Sequence, residues 1–132
     1  MVLYDYDGSG VERELVASVH TLMIYEQQFK VGMIEDVFNK VRIGRDNFGD
    51  DETLLLADFT IDHWGAYTRA LWAMLRAGAD LARSEGRPYD EIPQFDEWSM
   101  GVTNLDMRGL SDVVVNECQK GFFRTGSVAT TE

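Results

Sequence analysis

The sequence predicts an α+β fold, in which a predominantly α-helical small domain carries a short N-terminal β-hairpin. Three observations lead to this prediction. Apolar residues recur at helical spacing through residues 60–124, a Gly- and Asp-rich turn separates two short apolar stretches near the N terminus, and the composition is that of a globular protein, with 45% hydrophobic and 27% charged residues. A chain of 132 residues buries enough surface for one hydrophobic core, so a single domain is expected.

Residues 1–18 are predicted to form the hairpin. Residues 5–10 read Asp-Tyr-Asp-Gly-Ser-Gly, and Gly and Asp favour tight turns. Val2, Leu3 and Tyr4 precede this turn, and residues 11–18 after it partly alternate polar and apolar side chains. That alternation is typical of a strand with one solvated face.

Residues 19–43 are predicted to form two short helices. Ser18 is a suitable N-cap for a helix over residues 19–30, in which Leu22, Tyr25 and Phe29 share one face. Gly32 interrupts the pattern. The second helix has an apolar side made of Ile34, Val37, Phe38 and Val41. Residues 44–59 are predicted to be a polar loop that includes a short strand or helical turn at residues 52–57.

Residues 60–124 are predicted to contain most of the helical structure, beginning with the longest helix of the chain. Thr60 is its expected N-cap. The apolar stripe of this helix steps by three and four through Trp64, Tyr67, Leu71, Met74, Gly78 and Leu81, with Trp72 on its flank. Gly86 and Pro88 are expected to end the helix. The stripe predicts that this helix organises the core.

Two shorter helical segments are predicted after Pro93. In the first, Phe95 and Trp98 share a face. The second begins with Asn104 or Asp106 as its N-cap, continues to about Lys120 and stops at Gly121. Its predicted inward side chains are Leu110, Val113, Val114 and Cys118. Residues 125–132 are expected to form a flexible tail.

The formal net charge of −11 argues against nucleic acid and membranes as partners. Phosphates and anionic lipids would be repelled, and no Lys/Arg cluster is present to overcome that repulsion. No apolar run approaches the roughly 20 residues that span a bilayer, and no signal segment begins the sequence. The single cysteine, Cys118, allows no intrachain disulfide and fits a reducing cytoplasm.

No catalytic, cofactor-binding or metal-binding residues are predicted. Asp5, Asp7 and Ser9 match the start of a calcium-binding EF-hand loop, but Val16 stands where the loop needs its bidentate Glu, so a plain turn is favoured. His20 and His63 have no ligand or catalytic partner at a suitable spacing. Cys118 is expected to be a small buried hydrophobe rather than a nucleophile.

The aromatic residues are the predicted protein-binding candidates. The chain has three Trp, five Tyr and seven Phe, and large aromatic side chains dominate protein-binding hot spots. Trp72, Trp98, Phe122 and Phe123 are therefore proposed as contacts for a partner, with core packing as the alternative for each. Taken together, they predict one exposed apolar patch.

Several segments resemble the tail assembly chaperones of long-tailed bacteriophages and prophages. They are residues 20–29 (HTLMIYEQQF), 33–38 (MIEDVF), 62–75 (DHWGAYTRALWAML), 92–98 (IPQFDEW) and 121–124 (GFFR). The resemblance covers most of the chain between residues 11 and 124, and it depends on the order and spacing of the segments. The loop at residues 44–51 and the turn at 5–10 depart from it.

The resemblance implies a role in binding other proteins rather than a reaction. Such chaperones bind the tape-measure protein, keep it in solution and help to recruit tail-tube subunits in the cytoplasm of the bacterial host, and they are absent from the mature virion. Self-association is left open. The alternative functions are an acidic adaptor or anti-repressor, including a DNA mimic, and a calcium-binding module; an enzyme has almost no support.

Overall fold

The computed structural model describes residues 1–39 and 61–122. In chain order the described elements are β1 (Val2–Tyr4), β2 (Arg13–Leu15), α1 (Val19–Phe29), a π-helical turn (Glu35–Asn39), α2 (Ile61–Ser84), α3 (Phe95–Gly101) and α4 (Met107–Phe122). This architecture confirms the predicted α+β class, a mostly helical domain with an N-terminal hairpin. The predicted loop at 44–59, the Thr60 cap and the tail at 125–132 lie outside the described residues.

The hairpin pairs its two strands antiparallel, with Val2 opposite Leu15 and Tyr4 opposite Arg13. The carboxylates of the connecting turn accept backbone hydrogen bonds. Asp5 Oδ2 accepts from the Gly10 N–H at 2.9 Å, and Asp7 Oδ1 accepts from the Ser9 N–H at 3.2 Å. The acidic side chains that resemble a calcium loop therefore stabilise the turn itself.

Helix α1 begins where the sequence predicts and ends slightly earlier. The Ser18 N–H donates to Thr21 Oγ1 at 3.1 Å, which satisfies one free group at the helix start. Lys30, in the left-handed conformation with φ of 63°, ends the helix before Gly32. Residues 40–43 of the predicted second helix lie outside the described residues; before them the chain forms the π-helical turn, in which Val37 is buried, and Met33 just before the turn is buried as well.

Helix α2 lies at the centre of the domain. Its residues 70–75 are all at most 2% exposed, so this part of the helix is covered on every side, as expected for a core helix. Helix α1 runs antiparallel to it, as shown by the contact of His20 Nε2 with Asp80 Oδ2 at 2.8 Å near one end and the contact of Arg69 with Tyr25 near the other. The backbone beyond β2 also meets α2, where the Val16 N–H donates to the Met74 carbonyl at 3.2 Å.

The helix boundaries after α2 follow the predicted local signals. Gly86 adopts a φ of 74°, and the Arg87 N–H returns to the Ala82 carbonyl at 2.9 Å, which satisfies a carbonyl at the end of α2. The start of α4 is capped by Asp106, whose Oδ1 accepts from the Gly109 N–H at 3.3 Å. Of the two predicted caps, the chain therefore uses Asp106, while Asn104 adopts a left-handed φ of 64°.

Gly121 does not stop the last helix, contrary to the prediction, because α4 continues to Phe122. A side chain at Gly121 would overlap the Ala17 carbonyl oxygen. Gly78 in the middle of α2 has the same role, since a side chain there would overlap the Glu14 carbonyl oxygen. Both glycines allow the N-terminal chain to pass directly over a helix backbone.

Candidate protein-binding surface

The two tryptophans predicted to bind a partner lie in the core. Trp72 is 2% exposed and Trp98 is 6% exposed. Each indole N–H has an internal acceptor: Trp72 Nε1 donates to the Pro93 carbonyl at 2.9 Å, and Trp98 Nε1 donates to the Tyr6 hydroxyl at 3.4 Å. Neither ring is accessible to a partner in this conformation. Both tryptophans pack in the core, which was the alternative considered for them.

These rings belong to an aromatic cluster that joins α1, α2, α3 and the hairpin turn. Its members are Tyr6, Tyr25, Phe29, Trp72, Phe95 and Trp98, with neighbouring centroids 4.8–6.0 Å apart. Such pairs contribute about 0.5–1.5 kcal/mol each beyond burial. Through Phe95 and Trp98, the cluster packs the seven-residue helix α3 against the rest of the domain. Phe122 is half-buried against the core, and Phe123 lies outside the described residues.

Aliphatic side chains, with one tyrosine, make the exposed apolar surface instead. Val19 is 71% exposed, Met23 53%, Leu3 55% and Tyr89 41%. Sequence reasoning missed all four, since the candidates it selected were Trp and Phe residues. One signal was available: Val19 and Met23 are four apart in α1, beside the predicted core stripe, and four-residue spacing places side chains together.

The first exposed apolar surface is a groove between the hairpin and the segment after α2, which we name the hairpin groove. It holds about 160 Å³, whereas small-molecule sites usually hold about 300–1,000 Å³. The apolar lining comes from β1, α2 and the segment 88–92, and includes Leu3, Leu75, Ala79, Ala82, Tyr89 and Ile92. The hairpin groove is therefore sized for a side chain of another polypeptide rather than for a free ligand.

The polar lining of the hairpin groove is mainly acidic. It has the carboxylates of Glu12, Glu14 and Asp90 and the single guanidinium of Arg13. Ion pairs join the two walls: Arg13 Nε lies 3.3 Å from Asp90 Oδ2, and Arg87 pairs with Glu14. Because the lining has three acids and one base, its charge has the same sign as the net charge of the chain.

The second exposed apolar surface, which we name the α1 outer face, lies on the solvent side of α1. Val19 and Met23 form it, and the neighbouring Leu22 and Glu26 border a shallow depression against the π-helical turn. Glu35 borders the same depression. This surface is also apolar with acidic neighbours, but it is convex along the helix and offers less enclosure than the hairpin groove.

A buried polar network connects α1, the π-helical turn and α2, and the sequence pattern did not indicate it. The Tyr25 hydroxyl donates to Asp36 Oδ2, and Arg69 reaches the same oxygen through Nη2 at 2.8 Å and Nε at 3.2 Å. Tyr25 is fully buried and Asp36 is 7% exposed. Burial raises the pKa of the Tyr25 hydroxyl, and the hydrogen bond to Asp36 raises it further. The network orders the packing of three elements, α1, the π-helical turn and α2.

No family model, curated protein or solved structure matches this chain. A functional proposal therefore depends on the surface and charge of the molecule. Within residues 1–39 and 61–122, no group of three or more His, Cys, Asp or Glu side chains is placed to hold a metal ion. In the same ranges, no helix is both long enough and apolar enough to cross a membrane.

Cys118 is expected to resist thiol reagents in the native protein. Its side chain is fully buried, and burial, followed by the nearby Glu117 charge, raises the pKa of the thiol from 9.0 to about 12. Alkylation by iodoacetamide at pH 8, followed by mass spectrometry, should modify the chain only in denaturant, because the thiolate is the reactive form. Rapid native labelling would contradict this burial.

The raised pKa of the Cys118 thiol predicts that the folded protein loses stability at alkaline pH. The unfolded thiol releases its proton from pH 9.0 upward, whereas the folded thiol keeps its proton until about pH 12. The contribution of protonated Cys118 is therefore complete below pH 9.0 and is lost as the pH rises toward 12. Cys118→Ala should remove this part of the alkaline loss of stability.

Proposed function

We propose that this domain is a tail assembly chaperone that binds the tape-measure protein of a long-tailed phage or prophage. The observation that carries the proposal is the hairpin groove, an apolar depression edged by carboxylates on a strongly acidic domain. Exposed apolar patches beside polar residues are typical of protein-binding sites. The partner, a tape-measure protein, is proposed from the segments that resemble tail assembly chaperones.

The physical role proposed for the domain is to cover apolar stripes on a long helical partner. A tape-measure chain without its tube would expose such stripes and aggregate. The hairpin groove and the α1 outer face offer apolar contacts, while the net charge of −11 would keep the complex dispersed by repulsion between copies. Many weakly bound copies on one tape measure would gain strength through avidity.

The recruitment of tail-tube subunits is proposed as the second step of the same role. The domain would act in the cytoplasm of the bacterial host and leave before the virion is complete. Two separate apolar surfaces, the hairpin groove and the α1 outer face, support a role in which one surface contacts the tape measure while the other stays available.

Co-expression with the tape-measure protein of the same phage or prophage tests this function. We expect the wild-type chain to raise the soluble fraction of the tape measure and to co-purify with it. The quadruple variant Leu3→Ser, Val19→Ser, Met23→Ser and Tyr89→Ser should lose both effects, because it removes exposed apolar side chains from both surfaces.

Met100→Ser is the matched control, since Met100 is 81% exposed and lies in neither surface. A second control is an unrelated acidic domain of similar size, which separates specific binding from a general effect of charge. A tape measure that stays aggregated with the wild-type chain, or that is equally soluble with the unrelated domain, contradicts the proposal.

A further inference from the structure

We infer that the hairpin groove binds a helical segment that inserts one large apolar side chain and carries Lys or Arg on the adjacent turns. This inference rests on the proposed function, which it makes more specific. It names the surface that binds, the number of inserted side chains and the charge of the bound segment. The shape of the groove and its carboxylates support it.

The size and floor of the groove support a single inserted side chain. The floor is formed by α2 at Ala79 and Ala82, whose small side chains leave space above the helix, while the neighbouring Gly78 lies under the Glu14 backbone. Leu75 and Ile92 complete the apolar lining, and the cavity volume is about 160 Å³. A protein-binding hot spot usually has at its centre a buried apolar side chain, and the contacts around that side chain exclude water.

The position of the carboxylates supports basic neighbours on the bound segment. Glu12 lies on the hairpin wall of the groove, whereas Asp90 on the facing wall is paired with Arg13. Arg87 pairs with Glu14, so an arginine balances each of these two carboxylates. Glu12 supplies the net negative charge of the groove. A bound segment therefore meets a field that is negative overall, as expected also from the charge of −11.

A helix presents the required pattern with the least rearrangement. Residues three and four positions from an inserted side chain lie on the same helix face. Lys or Arg at those positions would lie toward Glu12 while the apolar residue enters the groove. This is the helix-in-groove mode of recognition, with electrostatic complementarity selecting basic over acidic segments.

Synthetic helical peptides test the inference. The first peptide has one central Leu with Lys on the adjacent turns, the second replaces those Lys by Glu, and the third replaces the central Leu by Ala. Fluorescence anisotropy with the full chain should show binding of the first peptide and a loss of at least about tenfold for each of the other two. Binding of the first peptide should also weaken as salt is added.

Two variants of the chain locate the site. Ala79→Leu fills the floor from a half-exposed position and should weaken binding of the first peptide at least about tenfold. Glu12→Lys, at an exposed position that leaves the core untouched, should weaken it about three- to tenfold. Glu26→Lys makes the same charge change on the α1 outer face and should leave the affinity within about twofold.

Equal binding of the Leu and Ala peptides, no binding of any peptide, or equal effects of Glu12→Lys and Glu26→Lys would overturn the inference. If Ala79→Leu impairs folding, Glu12→Lys and its control still decide. Co-expression of the wild-type chain with the tape-measure protein separates the two proposals. A tape measure that the wild-type chain keeps soluble, together with failed peptide binding, leaves the chaperone function standing and removes the groove as its site.

Discussion

Arg69→Met is expected to lower the free energy of unfolding by about 3–5 kcal/mol, the usual result of removing one partner from a buried ion pair. Asp36 is 7% exposed and receives two hydrogen bonds from Arg69. Without the guanidinium, the negative charge of Asp36 would remain buried and would lose its hydrogen bonds and ion pair with Arg69. The Tyr25 hydroxyl, which also receives a hydrogen bond from Arg69 Nε at 3.2 Å, would lose that contact.

Urea denaturation followed by circular dichroism measures this effect, and Arg76→Met is the matched control. Arg76 lies on the same helix, with its guanidinium 5.5 Å from the centroid of the Trp72 ring. A cation–π contact of this kind contributes about 0.5–1 kcal/mol at exposed sites, so the control should change stability much less. Equal effects of the two substitutions would show that the ion pair with Asp36 does not stabilise the fold.

A double-mutant cycle separates the ion pair from the packing of the arginine stem. Asp36→Asn removes the buried charge while keeping the shape of the side chain. We expect the Arg69→Met and Asp36→Asn double variant to be more stable than the sum of the single losses predicts, because no buried charge is then left behind. A purely additive result would assign the stabilisation to shape alone.

Gly78→Ala is expected to lower the free energy of unfolding by about 1–3 kcal/mol, as overpacking usually does. Helix propensity predicts the opposite sign, since Ala is favoured over Gly inside a helix by about 1 kcal/mol. The added methyl group would overlap the Glu14 carbonyl oxygen and lie 3.0 Å from the carbonyl carbon. Backbone atoms of β2 cannot rotate away, so the hairpin would have to move off α2.

Thermal unfolding monitored by circular dichroism measures this loss. Gly101→Ala at the end of α3 is the control, because a methyl group there meets no atom within 4 Å. It should change stability by no more than about 0.5 kcal/mol. A Gly78→Ala protein that is as stable as wild type, or more stable, would mean that β2 does not pass over α2 at this point.

Much of the local structure could be predicted because its signals are short in sequence. The 5–10 turn, the Ser18 and Asp106 caps and the Gly86 end of α2 each depend on a few neighbouring residues and their backbone preferences. Gly121 was interpreted incorrectly for a related reason. Glycine has the same local signature whether it ends a helix or allows another chain to approach, and only the position of Ala17 distinguishes the two.

The candidate site was harder to predict than the fold. The spacing of apolar residues placed Trp72 and Trp98 on or beside apolar helix faces. It could not assign them to the interior, because a wide apolar stripe is compatible with both a core and a binding surface. The apolar residues that line the hairpin groove come from β1, α2 and the segment 88–92. Their proximity depends on contacts between elements far apart in the chain.

The sequence by itself determined the helical character, the hairpin, the caps and the acidic charge, since these follow from periodicity, local backbone preference and composition. Tertiary structure decided which apolar side chains are buried, which glycines accept a crossing backbone and where Tyr25, Asp36 and Arg69 meet. The physical reason is that burial and buried polar pairing are properties of packing between distant segments, and the spacing of residues along one segment does not specify them.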